Sequence, residues 1–290
     1  MKTKITIVFL CLCGMIFAKP AIWNGTADVS WYKEKDTLYK ISTAQQLAGL
    51  AQLVNDGADF AGKTVRLVSD IWLNDTSGWK NWDATAPKNE WTPIGHFKKG
   101  PYFNIRSFFN GTFDGNGKVI YGMYINYAVS PVLLYNSQGL FGAIYGAKIT
   151  NLAISNFYVS SRNFYTAAIV GFSEESVITK CSLKGKIDAN AFVGGISGQC
   201  KNLSISENSV SVDVSSKQGG GGIAGIIQNT QVSKNKFAGI VSGKRNRIGI
   251  LVAKASGKSS VIDNSFSNKD DIKVVGKYGK SVTVNNNNRI

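Results

Sequence analysis

Histidine is almost missing from this chain: His96 is the only one in 290 residues, beside five prolines and four cysteines. A Ser–His–Asp hydrolase would have to use His96, and no nucleophile-elbow sequence lies near it. A zinc site needs more than two cysteines and one distant histidine, so no metal is expected, and no phosphate-binding loop or other cofactor motif is present. Cys11 and Cys13 fall in the first 18 residues. Cys181 and Cys200 remain, in different parts of the sequence pattern, as buried small side chains or as a disulfide. The low proline count and the 31 glycines point away from a mostly helical protein and towards many turns between short strands. No apolar run is long enough to span a bilayer.

The longest apolar run, Ile5 to Phe17, follows Lys2 and Lys4 and has 13 residues. It reads as a secretory signal over residues 1–18, cleaved after Ala18. The expected location is therefore the medium or the cell surface, with the periplasm as an alternative, and no transmembrane segment in the mature chain. From Lys19 onward, 31 basic residues stand against 18 acidic ones, a net of +13. Such a surface attracts polyanions, among them acidic polysaccharides, or serves only to keep a β-rich protein soluble. No specific nucleic-acid recognition is expected. A hydrophobic share of 43% excludes disorder of the whole chain.

A repeat dominates the second half. Gly139-Leu140-Phe141-Gly142 returns as Ala168-Ile169-Val170-Gly171, Gly195-Ile196-Ser197-Gly198, Gly222-Ile223-Ala224-Gly225 and Gly249-Ile250-Leu251-Val252, at spacings of 27 to 29 residues. A second column ends on Leu152, Cys181, Asn208, Asn235 and Asn264. Ile120 to Asn126 reads as an earlier copy, about 29 residues ahead of its successor. Apolar residues alternate over three to five positions within each unit, a strand rhythm. Units this short hold three strands and three turns, too few residues for a propeller blade. The expected fold is all-β: a right-handed parallel β-helix over residues 110–284, with a polar tail at 285–290 expected to fray. Asparagine in the second column is expected to form a hydrogen-bonded ladder at a corner, where it tolerates a left-handed turn.

The leading part differs. Ser42 and Gln45 form a capping box ahead of Leu47, Leu50, Ala51 and Val54 at helical spacing, and Asn55-Asp56-Gly57 ends the helix. Val65, Leu67, Ile71 and Leu73 then alternate like a strand pair. Residues 19–73 thus predict an N-terminal cap whose amphipathic helix covers the first coil. Residues 74–109 form an irregular aromatic and basic loop. Its Trp79, Trp82, Trp91, Lys98, Lys99, Tyr102 and Arg106 are the candidate binding residues, because flat rings stack on sugar faces and cations meet acidic groups. The alternative is a loop folded over the first coils with its rings turned inward.

The run Ile41-Ser42-Thr43-Ala44-Gln45-Gln46-Leu47 through Val54-Asn55-Asp56-Gly57 resembles the opening of bacterial surface proteins carrying GLUG motifs. So do Asp70-Ile71-Trp72-Leu73, Trp91-Thr92-Pro93-Ile94-Gly95, Phe109-Asn110-Gly111-Thr112-Phe113-Asp114-Gly115-Asn116-Gly117 and Gly139-Leu140-Phe141-Gly142. The resemblance implies a β-helical, adhesin-like exported protein; GLUG repeats also occur beside peptidase domains. No wall-sorting motif follows the repeats, so stable anchoring is not expected.

Acidic residues are sparse in the coils. Asp188, Glu207, Asp213 and Asp263 fall in different columns and coils, and Asp114 sits in an Asp-Gly-Asn-Gly turn as a backbone cap. A glycosidase needs a pair of carboxylates on one groove, and clustered carboxylates there would favour an enzyme. The leading expectation is an adhesin-like protein that binds carbohydrate or another anionic polymer. A polysaccharide lyase or glycoside hydrolase on the same scaffold, and a structural or protein-interaction module, are the alternatives.

Overall fold

The computed structural model describes residues 20–99, 104–127, 135–267 and 272–290; the signal expected at residues 1–18 and the candidate Tyr102 lie outside them. The chain winds through three parallel sheets in turn. One coil runs from Phe141–Tyr145 through Lys148–Thr150 to Ala153–Ala167, and the next opens on Val170–Glu174. The first sheet stacks nine strands from Leu38–Ile41 to Thr283–Asn285, the second six from Phe141–Tyr145 to Val275–Tyr278. The third carries the long strands Ala153–Ala167, Ser182–Gly194 and Ser209–Ser216. This is the expected parallel β-helix.

Stacking turns the repeat into columns. Through the first sheet the inward residues are Tyr39, Val65, Phe113, Ile149, Ile178, Ile205, Val232, Val261 and Val284, each level with the next. All but Val284 are buried. Burying each such side chain contributes about 1.5–3 kcal/mol. The recurring glycine has a steric cause. A Cβ on Gly198 would lie 2.6 Å from the Thr166 amide nitrogen and 2.7 Å from the Gly171 carbonyl oxygen. On Gly225 it would lie 2.5 Å from the Phe192 carbonyl carbon. The strand of one coil is pressed on the backbone of the preceding corner, which leaves no room for a side chain.

The asparagine ladder is present. Asn208 donates its amide to Asn235 Oδ1 at 2.8 Å, Asn235 to Asn264 at 3.0 Å, and Asn264 to Asn287 at 2.8 Å. Each of these acceptors also takes the backbone N–H of the preceding asparagine. The left-handed turn conformation, however, belongs to the residue before each ladder position: Lys180, Glu207, Lys234, Asp263 and Asn286, with φ between 51° and 60°. The ladder fixes the corner strongly enough to hold lysine and glutamate where asparagine or glycine is commoner. At the polar tail Asn285 pairs with Ile262 and Arg289 with Phe266, so the stacking continues there.

The helix spans Ala44–Asn55. Its cap is one residue later than expected: Thr43 accepts the Gln46 amide, and Gln46 Oε1 reaches back to the Ser42 N–H. Gly57, with φ 98°, ends it. Leu47, Leu50, Ala51 and Val54 join the main core. Gly49 allows the backbone of Asp28 to lie directly on the helix. Thr64–Leu67 and Ile71–Trp72 are not a pair; they join the first and third sheets respectively. The early copy is also shifted. Ile120 stands beside Ile154, 34 positions on, because the chain leaves the coil to add Tyr135–Asn136 to an antiparallel sheet with His96–Lys99 and Asn104–Ser107. That sheet lies on the outside of the second sheet, with Phe97 stacked on Phe172 at 4.5 Å. Among the described residues no helix is long and apolar enough to cross a membrane. Cys181 and Cys200 are buried and free.

Candidate functional site

The long strands of the third sheet alternate cleanly. In Ser209–Ser216, Val210, Val212 and Val214 face the core, while Ser211, Asp213 and Ser215 face outward. Stacking makes two outward columns two residues apart. One runs Tyr124, Tyr158, Lys186, Asp213; the other runs Asn126, Ser160, Asp188, Ser215, Ser242. Asp188 and Asp213 do occupy different columns and coils, but the columns adjoin on one face. Strand and rung spacings put their Cβ atoms about 8 Å apart.

The segment after the cap forms a wall over this face. Its base is closed by two buried asparagines. Asn74 donates to the carbonyls of Asn89 and Gly122 and accepts the Asn89 N–H, while Asn89 donates to the carbonyls of Trp23 and Leu73. Between them a short 3-10 turn, Trp79–Asn81, brings Trp79 and Trp82 onto Tyr124 and Tyr158. Trp82 meets Tyr124 edge-on at 5.8 Å, and Tyr124 stacks with Tyr158 at 6.0 Å. Lys186 Nζ donates to the Lys80 carbonyl at 2.9 Å and ties the wall to the sheet.

Wall and sheet enclose two hollows of about 530 Å³ and 320 Å³ that share Asp83, Tyr158 and Asp188, so they form one cleft. Arg162 and Lys217 lie in the larger hollow, Lys186 and Asp213 in the smaller. Burial first, then the carboxylates of Asp188 and Asp83, pushes the Tyr158 phenol above its ordinary range. It stays protonated at neutral pH, a donor set between two acceptors. The cleft thus offers hydroxyls, carboxylates and ammonium groups around the edge of an aromatic cluster. Among the described residues no three His, Cys, Asp or Glu side chains gather as metal ligands.

The candidate residues of the loop part company. Trp82 is buried and Trp79 half-buried at the cleft wall. Trp91 is buried elsewhere, edge-on to Trp23 in the main core, its indole N–H donating to the Leu140 carbonyl. Lys98 lines a separate pocket. The Arg106 guanidinium lies 5.3 Å from the centre of the Phe97 ring. Lys99 ends the strand His96–Lys99. The loop's indoles are therefore largely turned inward, and the polar groups at the cleft come from the coils together with Asp83 and Asn126. Sequence reasoning missed Tyr158, Lys186 and Asp83. A spacing of 27 places Asp213 on Lys186 and would have shown Asp188 two residues away on the same face.

No family model and no curated protein matches the chain. One solved structure similar to it is that of a candidate immunoglobulin A1 protease from Bacteroides ovatus, 17% identical. The similarity covers 85% of this chain and 83% of that one, with a TM-score of 0.43.

Proposed function

We propose that this is a secreted or cell-surface-associated binding protein, and that the cleft over the long strands takes a carbohydrate chain. The observation that carries this reading is the cleft itself. It is open, lined by alternating hydrogen-bonding side chains at the regular spacing of a β-sheet, and holds the Tyr158 ring in its lining. Sugars present hydroxyl donors and acceptors around a ring with apolar faces, which is the complement of such a surface. The net positive charge of the chain and its resemblance to exported GLUG-motif proteins support it. A second reading, hydrolysis of the bound glycan, is favoured by one observation: Asp83, Asp188 and Asp213 line the same cleft.

Co-sedimentation with insoluble and soluble acidic polysaccharides across a salt series tests both, with reducing ends assayed in the same tubes. The expected result is retention without product, weakened about thirtyfold in an Asp188→Asn, Lys217→Ala variant, as losing two polar contacts of about 1 kcal/mol each would do. Product formation lost in Asp188→Asn would replace the binding reading with the hydrolytic one. Retention unchanged in the variant would remove the cleft from either.

A further inference from the structure

A second pocket, of about 320 Å³, lies between the end of the capping helix, residues 90–98 and the strand Tyr124–Tyr127. Trp91 and Ile125, both buried, contribute its apolar surface, and the Trp91 ring is fixed by its bond to the Leu140 carbonyl at 3.1 Å. Pro93 adds to that surface, and polar side chains line the remainder. Gln138 and Asn136 bring amides from a buried segment whose Ser137 Oγ accepts the Phe97 N–H at 3.0 Å.

His96 and Lys98 reach this pocket from one strand, at alternate positions and therefore on the same side. Asn55 orients the imidazole. Its amide nitrogen donates to the Pro93 carbonyl at 3.1 Å, which turns its Oδ1 to His96 Nδ1 at 3.4 Å. Nδ1 then carries the hydrogen and Nε2 is left as the acceptor. Burial, then the charge of Lys98, holds the imidazole below its ordinary range. Lys98 is half-buried, and the only ion pairs among the described residues are Arg66–Asp114 and Lys201–Glu174. A half-buried ammonium that makes no close ion pair favours an anion beside it. The other charged or titratable groups of the pocket are Glu90 and Tyr127. Glu90 is held at the strand side, accepting the Asn126 N–H at 2.9 Å, and its charge is not among those that shift His96.

The geometry points to a binding site for a single uronic acid unit, a sugar ring with one carboxylate. Lys98 receives the carboxylate, His96 Nε2 and the Gln138 amide take ring hydroxyls, and Trp91 lies under the ring. Glu90 disfavours the reversed orientation. The site is separate from the cleft and stands or falls independently of it.

Because His96 is the only histidine, its imidazole signal in a nuclear magnetic resonance titration of the untagged mature chain is a direct reporter. The probes are galacturonate, trigalacturonate, glucose and acetate, each near saturation or at 50 mM. In the free protein the imidazole should titrate below its ordinary value. Galacturonate should raise that midpoint by roughly half a unit or more, as a nearby opposite charge does. Trigalacturonate acting where the monomer does not would place the unit within a polymer and still support the site. Glucose should leave the midpoint unchanged. Lys98→Met should weaken uronate binding at least tenfold, while Asp188→Asn should keep the response. No shift with either uronate overturns the inference. An equal shift with acetate overturns sugar recognition, and an undiminished shift in Lys98→Met removes the lysine on which it rests.

Discussion

Between Gly139 and Ser267 each coil lies on one much like itself, and its internal side chains matter because they recur. Before Gly139 little recurs, and the side chains that shape the molecule occur once: Asn74, Asn89, Trp91, His96. The coils bury apolar columns and an amide ladder; the leading part caps the first coil and folds hairpin and loop back on the outside. The difference separates two tasks. Repetition makes a long, even surface, with a hollow of about 400 Å³ on the first sheet alone, and the cleft arises where a non-repeating segment is laid over the third. The cleft takes Asp83 and Asn126 from the leading part and the rest of its lining from the coils, whereas the pocket around His96 is lined by the leading part alone.

That division makes the two asparagine systems unequal. In the coils, Asn235→Leu removes the acceptor of the buried Asn208 N–H and side-chain amide and the donor to the Ile205 carbonyl. Leaving such groups unmet costs about 1–3 kcal/mol each, so a global loss of roughly 4 kcal/mol is expected in urea unfolding followed by circular dichroism. A loss below about 1 kcal/mol would show that the ladder is ornament to the apolar columns.

Asn74→Ala breaks the base of the loop instead. It should cost about 2 kcal/mol, and locally. Limited proteolysis between Asp75 and Lys88 should accelerate while the urea midpoint of the coils moves little. A coil midpoint that falls with the loop would erase the proposed separation.

The most gradual effect concerns the two thiols, which both belong to the coils. Burial pushes Cys181 up to about 12 and Cys200 up to about 11. An unfolded thiol titrates near 8.5, so above that pH the unfolded chain sheds protons that the folded one keeps. Stability should therefore fall by about 1.4 kcal/mol per pH unit for each thiol from about pH 8.5 until its folded value is reached. Urea midpoints from pH 8 to 10 should decline more steeply in the natural chain than in a Cys181→Ala, Cys200→Ala variant. Parallel slopes would mean that neither thiol is as dry as its position implies.

Much of the architecture could be read from residue spacing because stacking forces like residues onto like positions. Gly142, Gly171, Gly198 and Gly225 mark one column, Asn208, Asn235 and Asn264 another, and the helix of the cap declares itself by Leu47, Leu50 and Val54. Spacing failed where the repeat is interrupted. Nothing in Ile120 to Asn126 announces that the chain will detour through Tyr135–Asn136 before it stacks. The cleft was legible only in part. Asp188 and Asp213 follow from the repeat once outward columns are written side by side. Asp83 reaches the same place through a loop whose path depends on two asparagines fifteen residues apart and on Lys186. Trp82 and Trp91 look alike in sequence, and only packing puts one beside the cleft and the other in the core.

The amide ladder also gives the solenoid a direction. In every step the earlier asparagine lends its backbone and side-chain hydrogens to the later one, never the reverse. A coil's corner is thus completed by its successor, as a zipper tooth is held by the next. Opening that starts at a late coil strands two buried hydrogens in the coil before it, whereas opening at an early coil strands one, the side-chain hydrogen that the later asparagine lends to a carbonyl of the coil before. Fraying should consequently travel backward along the chain more readily than forward, and amide exchange along Asn208, Asn235 and Asn264 should quicken in that order.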